Sequence, residues 1–330
     1  MADADQTRLL ALIELPAMLV EADQVTFANG AALALLGGHI VGENVRIALR
    51  APDAVALIAR PDGGHARISG LSVPGSIWDM TCHVLDGGTR LVTLQDMSVQ
   101  VSVARSHADF VANASHELRT PLAAILGYVE TLADAKAGED RQTRERFLGI
   151  IRREAQRMQA LVEDLMSLSR IEAIKHESPS DPVDIVAVAR EIANEIGEIA
   201  AVTVTSNCDR AIVGGDRNQL AQVIRNLVDN AIKYGKPDGD VAISIEASET
   251  GWLLLNVRDE GEGIAPEHLP RLTERFYRAD ASRSRALGGT GLGLAIVKHI
   301  VERHRGRIDI SSRQGRGTTV SIMLPLQKTT

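Results

Sequence analysis

The sequence predicts a multidomain α+β chain: a small antiparallel-sheet domain, a helical hairpin that dimerises into a four-helix bundle, and an α/β sandwich. Three observations carry this expectation. Between about Gln6 and Gln95, short apolar runs alternate with Gly, Pro and Asp punctuation, as in hairpin-connected strands. After Asp96 the apolar residues recur at helical spacing through two long segments. Beyond the two prolines of "HESPSDPVD", strands and helices alternate again. The expected boundaries are 1–97, 98–178 and 179–330, and a chain of 330 residues is too long for one typical compact domain.

Strands are expected at "PAMLV", "QVTFAN", "HARISGLSV", "WDMTCHV" and "TRLVTLQD", with "NGAALALLG" as a short helix among them. Cys82 and His83 adjoin in one of these strands; without a cofactor motif around them, they read as ordinary strand residues. The first long helix carries Val111, Ala114, Leu118, Leu122, Ile125, Val129 and Leu132 as its apolar seam. The second carries Phe147, Ile151, Met158, Leu161, Leu165 and Leu168, whose spacing averages a coiled-coil repeat. The loop "ADAKAGEDR" between them is short enough for an antiparallel hairpin. One hairpin cannot cover both stripes, so a homodimer is expected. The last segment reads as a helix over 183–199, strands "AVTVT" and "AIVGG", a helix over 217–233, strands "VAISIEA" and "WLLLNVRD", a helix "GLAIVKHIVERH", and strands "RIDISS" and "TTVSIMLP".

Composition narrows the function classes. With 36 basic and 43 acidic residues the chain has no global basic field, which argues against non-specific nucleic-acid binding. The run "LLALIELPAMLV" is broken by Glu14 and Pro16 and falls short of the roughly 20 residues a membrane span needs. Without a secretory signal, and with Cys82 and Cys208 far apart and in no CxxC pattern, the expectation is a cytoplasmic protein in a reducing compartment with no structural zinc.

The stretch "FVANASHELRTPL" places reactive side chains on the first long helix. His116 lies about 200° round from Ala114 and Leu118, so it points away from the seam; Thr120 sits one turn along on the same side, and Glu117 is its neighbour. Imidazole is a nucleophile near neutral pH, and an adjacent carboxylate can orient or accept its proton. Pro121 removes the N–H that would bond the Glu117 carbonyl and should bend the helix, at about 3 kcal/mol. Taken alone, these residues fit a surface histidine on a charged helix better.

Three further motifs point to a nucleotide. In "QVIRNLVDNAIKYG", Asn226, Asn230 and Lys233 share one helix face, where amide oxygens suit a hard cation and the ammonium suits phosphates. In "RDEGEGI", Asp259 follows a strand and can accept from an exocyclic base amine, while Gly261 and Gly263 allow a close backbone approach. In "GGTGLGLAIVKHI", Gly289, Gly291 and Gly293 open a helix whose unsatisfied N–H groups favour a phosphate. Singly, these read as a solvated face, a turn and a hinge. The arginine-rich "LPRLTERFYRADASRSRA" between the last two motifs has the length of a lid, with Phe276 pinning it and Arg278 or a neighbouring arginine reaching a terminal phosphate; taken alone it also reads as a disordered surface loop.

Together "FVANASHELRTPL", "NLVDNAIKYG", "DEGEGI", "ERFYR" and "GGTGLGL" resemble, in order and spacing over residues 106–326, the H, N, G1, F and G2 boxes of a two-component sensor histidine kinase. The resemblance implies that His116 is the phosphoacceptor, Glu117 its acid/base partner and Thr120 the residue that positions water in a phosphatase reaction. It implies ATP and Mg²⁺ as cofactors. Asn230 would take the metal, Asn226 and Lys233 the phosphates, Tyr234 a place beside the nucleotide, and Asp259 the adenine amine in a pocket shaped by Gly261 and Gly263. Gly289, Thr290, Gly291, Leu292 and Gly293 form the phosphate-cradling box under the lid, with Arg278 near the transferred group. A cognate response regulator is the implied partner.

The first 97 residues resemble a PAS sensor domain in "LPAMLVEADQVTFANGAALALLG" and "LVTLQDMS". Phosphate-regulon sensor kinases are similar in placing such a domain directly before the H box. They usually begin with a membrane segment that this sequence does not show, so it reads as a soluble relative or a trimmed form. Two other readings fit parts of the chain: an ATPase of the gyrase, heat-shock-chaperone and mismatch-repair group, and a non-enzymatic dimer scaffold.

Overall fold

A computed structural model describes residues 2–71, 73–133, 140–174, 177–197, 201–237, 239–280 and 288–327. The chain divides into two compact units, Met1–Ala112 and Asn113–Thr330.

The first unit contains α1 (Ala2–Ala11), β1 (Ala17–Glu21), β2 (Gln24–Ala28), α2 (Gly30–Leu36), α3 (Val45–Ala48), α4 (Pro52–Ile58), β3 (Gly64–Ser69), β4 (Ile77–Val84) and β5 (Arg90–Asp96). Its strands form one antiparallel sheet in the order β2-β1-β5-β4-β3. The five expected strands and the helix "NGAALALLG" are all present. Asn29 starts that helix: its Oδ1 accepts from the Ala32 N–H at 2.9 Å and from the Ala17 N–H at 3.0 Å, which ties the cap to the first strand. Period-two burial in β4 puts Trp78, Met80 and Cys82 in the core and leaves His83 exposed. Helices α3 and α4, of four and seven residues, are too short for a helical period to register in the sequence.

Helix α5 (Ser98–Ala133) and helix α6 (Arg141–Ala173) are the two long helices; the expected loop between them lies largely outside the described residues. They meet through the rings of Tyr128 and Phe147, whose centroids are 5.1 Å apart. Helix α5 runs through Pro121 without a break, and the Thr120 hydroxyl donates to the His116 carbonyl one turn back at 3.2 Å. Of the expected seams, Leu161 and Leu168 are buried, whereas Leu122 and Val129 are exposed.

The remainder comprises β6 (Pro182–Asp184), α7 (Ile185–Ile196), β7 (Val202–Ser206), β8 (Ile212–Gly214), α8 (Arg217–Tyr234), β9 (Val241–Ala247), β10 (Trp252–Arg258), α9 (Gly293–Arg303), β11 (Arg307–Arg313) and β12 (Gly317–Pro325). Five strands make a mixed sheet, β11-β12-β10-β9-β7, in which only the β7–β9 pair is parallel. Helices α7, α8 and α9 pack on one another and on this sheet, which makes a two-layer α/β sandwich. Two expectations change. The end of the proline-rich linker is a strand, with Pro182 at its first position, where the missing N–H is tolerated. Its partner is "AIVGG", which joins it as β8 in a separate two-stranded sheet. The following helix starts at Ile185 because Asp184 caps it, accepting from the Val186 N–H at 3.1 Å.

Candidate functional site

Helix α8 is amphipathic. Leu220, Val223, Ile224, Leu227, Val228 and Ala231 are buried, and the opposite edge carries Asn226, Asn230, Lys233 and Tyr234 to a cavity of about 360 Å³. Asp259, Gly263, Arg278, Gly289, Thr290, Gly291 and Gly293 line the same cavity, so three motifs spread over 68 residues of chain (226–293) converge on it. Asn226 is seated by its Nδ2, which donates to the Gly293 carbonyl at 3.4 Å.

Asp259 follows the last residue of β10 and is 9% exposed. Its Oδ1 accepts from the Gly261 N–H at 2.8 Å and the Thr318 N–H at 3.3 Å. Burial pushes the pKa of this carboxyl up from its ordinary value, against the pull of those two N–H groups. The turn beyond it needs glycine. A Cβ on Gly261 would sit 2.3 Å from the Tyr234 carbonyl oxygen, and Gly263, at φ +70°, would put one 2.2 Å from the Arg313 carbonyl oxygen.

The glycine loop is braced by the segment before it. Phe276, in a left-handed conformation at φ +62°, donates its N–H to the Gly291 carbonyl at 2.8 Å, and a Cβ on Gly291 would lie 3.0 Å from the Phe276 backbone. Leu292 is fully buried, and its N–H reaches the Thr290 hydroxyl at 3.3 Å. Gly261, Phe276 and Leu292 therefore support the cavity through the backbone and are not among the residues that line it. The expected lid lies partly outside the described residues, at 281–287.

His116 and Thr120 are exposed on α5 and do not line the cavity. Glu117 connects the two regions. Arg278 donates from Nη2 to Glu117 Oε2 at 2.9 Å and from Nη1 to Oε1 at 3.5 Å, a forked ion pair in which the arginine side chain is 7% exposed. Arg157 of α6 donates to the same Oε2 at 3.3 Å.

Two residues in this arrangement escape motif reading: Arg157 and Asp164. The Asp164 carboxylate lines the cavity and accepts from the Thr290 hydroxyl at 2.7 Å. Burial pushes its pKa up, while the Thr290 hydroxyl and the Lys233 charge pull it down. The signal for both residues is positional. Arg157, Leu161, Asp164, Leu168 and Ile171 follow one another at steps of four, three, four and three, so two ionisable groups share a face with three buried apolar ones. Ser167 bonding to Gln222, and Glu172 pairing with Arg275, continue the same contact between α6 and the sandwich.

The fold and site define a nucleotide-binding sandwich coupled to a helical hairpin that carries a histidine. Residues 215–328 match the histidine kinase-, DNA gyrase B- and HSP90-like ATPase family, and residues 106–174 match the His Kinase A (phospho-acceptor) domain. The chain is 42% identical over 244 residues to the phosphate regulon sensor protein PhoR of Pseudomonas aeruginosa, covering 72% of this chain and 54% of PhoR. It is 37% identical over 243 residues to the sensor protein SrrB of Staphylococcus aureus, covering 71% of this chain and 41% of SrrB. The chain thus spans about half the length of the curated relatives it matches. The histidine kinase ThkA, solved in complex with the response regulator protein TrrA, shares the fold at a TM-score of 0.56 and 18% identity, over 97% of this chain and 98% of ThkA. The chain belongs to the two-component sensor histidine kinases.

Proposed function

We propose that the protein transfers the γ-phosphoryl group of ATP to His116 and passes it to an aspartate of a response regulator, with Thr120 serving a phosphatase reaction on the phosphorylated regulator. The observation that carries this reading is the Glu117–Arg278 ion pair, which joins the neighbour of the acceptor histidine to a residue lining the nucleotide cavity. A plain ATPase needs no such link, and a scaffold needs no cavity furnished with Asn230, Asp259 and the glycine loop.

In the transfer step an unprotonated ring nitrogen of His116 attacks phosphorus, the bond to the ADP oxygen breaks, and Glu117 holds or takes the proton on the other nitrogen. Asp259 accepts from the adenine amine in the pocket that Gly261 and Gly263 leave open, and Tyr234 lies beside the base. Asn226, Lys233, Gly289, Gly291 and Gly293 hold the phosphates at the start of α9, where Thr290 and Leu292 complete the loop. Among the described residues no cluster of three or more His, Cys, Asp or Glu could hold a metal alone. Mg²⁺ typically takes one or two protein oxygens and the substrate's phosphates, and the Asn230 amide at the cavity fits that role. When bound, the metal neutralises charge on the β- and γ-phosphates.

A homodimer is supported by exposed Leu122, Leu126 and Val129 on α5 and by Leu148, Val162 and Met166 on α6, an apolar surface that a four-helix bundle would cover. The regulator partner is supported by the ThkA complex. Residues 1–97 act as a PAS-like sensor, 98–178 as the dimerisation and phosphotransfer hairpin, and 179–330 as the catalytic domain; the antiparallel sheet of the first unit supports the sensor reading. The identity to PhoR supports a place near the phosphate-regulon kinases. A cytoplasmic location agrees with the finding that no described helix is long and apolar enough to cross a membrane. The test is incubation with γ-labelled ATP and Mg²⁺. Label that is acid-labile, base-stable and absent in H116Q is expected; label retained in H116Q would refute the assignment.

A further inference from the structure

The carboxylate of Glu117 has more cationic partners than one conformation of the proposed reaction can use. Arg278, from the sandwich, holds both of its oxygens, and Arg157, from α6, holds Oε2. Arg278 also lines the nucleotide cavity, and its buried Nε has no partner among the described residues. In the transfer step this arginine belongs beside the phosphate and has to leave Glu117. Arg157 is under no such double demand. It sits on the helix paired with α5, so it stays with Glu117 when the sandwich moves.

We propose that Arg157 is the positioning residue of the phosphoryl-transfer step, keeping the Glu117 carboxylate aimed while Arg278 turns to the phosphate; the proposal rests on the function inferred above. Three features single it out. Its side chain is 16% exposed and stands on the same face as the buried Leu161, Leu168 and Ile171, where an apolar residue would pack without desolvating a charge. Glu154, one turn back, lies 3.9 Å from its Nη1 and restrains the head from the other side. A guanidinium offers donors in a fixed fork and no acceptor atom, so it orients Glu117 without competing for the proton in transit.

The test uses the full chain with γ-labelled ATP and Mg²⁺, comparing wild type, R157M and R157K over a range of ATP concentrations, with a melting curve for each. R157M is expected to lower kcat for labelling at least tenfold with KM for ATP within twofold of wild type, and R157K to recover a substantial part of that loss because it restores the charge. R157M that labels at the wild-type kcat would overturn the proposal and leave the kinase reading standing. A loss accompanied by a lowered melting temperature and shared equally by R157K would also overturn it, because packing would then be the cause. Absence of label in wild type would instead sink the kinase reading itself, and this proposal with it.

Discussion

Asp259 separates the stability of the site from its recognition chemistry, because one carboxylate oxygen serves the fold while the group as a whole faces the cavity. Its Oδ1 accepts two backbone N–H groups, from Gly261 and Thr318. D259A removes the one acceptor that both N–H groups share; each stranded N–H costs about 1–3 kcal/mol, and water admitted from the adjoining cavity offsets part, leaving about 2–4 kcal/mol. In a domain of this size that is a fall in melting temperature of about 4–16 °C. D259N keeps an oxygen for the two N–H groups and removes a buried charge, so its melting temperature at pH 7 should equal or exceed that of wild type. In the proposed adenine contact the same amide would turn a donor toward the base amine and forfeit a charged hydrogen bond of about 1.5–3 kcal/mol, so Mg·ADP binding is expected to weaken about ten- to two-hundredfold. Titration calorimetry and melting curves on the two variants are the assay. The folded-state pKa lies above the ordinary 3.8, so the carboxyl holds its proton more tightly folded than unfolded. Its contribution thus favours the fold at low pH and is lost as pH rises through the folded-state value; D259N should remove that slope. Mg·ADP binding by D259N within threefold of wild type, or destabilisation equal to that of D259A, would refute the reasoning.

The buried His304 imidazole accepts from the Asp216 N–H at 3.0 Å and lies 2.7 Å from the Ile300 carbonyl, and burial pushes its pKa below 6.5. Unfolded chains therefore take up the proton first, so the urea midpoint of the sandwich should fall as pH drops below about 6.5, and H304Q should flatten that dependence. Gly263→Ala meets both a left-handed backbone and the Arg313 carbonyl, for a combined cost of about 2–5 kcal/mol. Gly315→Ala, at φ +76° with open space around it, carries only the backbone cost; a melting temperature for G263A no lower than for G315A would contradict the crowding argument.

Periodicity makes most of the fold legible. "VAISIEA" coincides with β9, and the helix expected over 217–233 runs one residue further, because strand alternation and an amphipathic stripe are properties of local sequence. The strand β6 stays hidden because its three residues pair only with β8, a contact that no local pattern encodes. In the site, side chains that act from a regular element, such as Asn226, Asn230 and Lys233 on α8, are legible from helical spacing. Arg157 and Asp164 are not, since their roles depend on Glu117 and Thr290, 40 and 126 residues away in sequence. Their anomaly is nonetheless present: two ionisable side chains within a stripe of leucine and isoleucine.

The character of that contact bears on how the two regions work together. Leu161, Leu168 and Ile171 supply a narrow apolar strip, and around it the bonds are polar: Glu117 to Arg278, Asp164 to Thr290, Ser167 to Gln222 and Glu172 to Arg275. Such groups regain hydrogen bonds to water when surfaces part, so a polar contact between regions of a chain separates far more readily than an apolar core. Two of these bonds also engage cavity residues, since Thr290 and Arg278 both line it. Phosphates drawn to the glycine loop would meet the Asp164 carboxylate there and compete with Glu117 for Arg278. Filling the cavity and holding this contact therefore oppose each other, so on the proposed function nucleotide binding would favour the movement of the sandwich needed for phosphoryl transfer to His116.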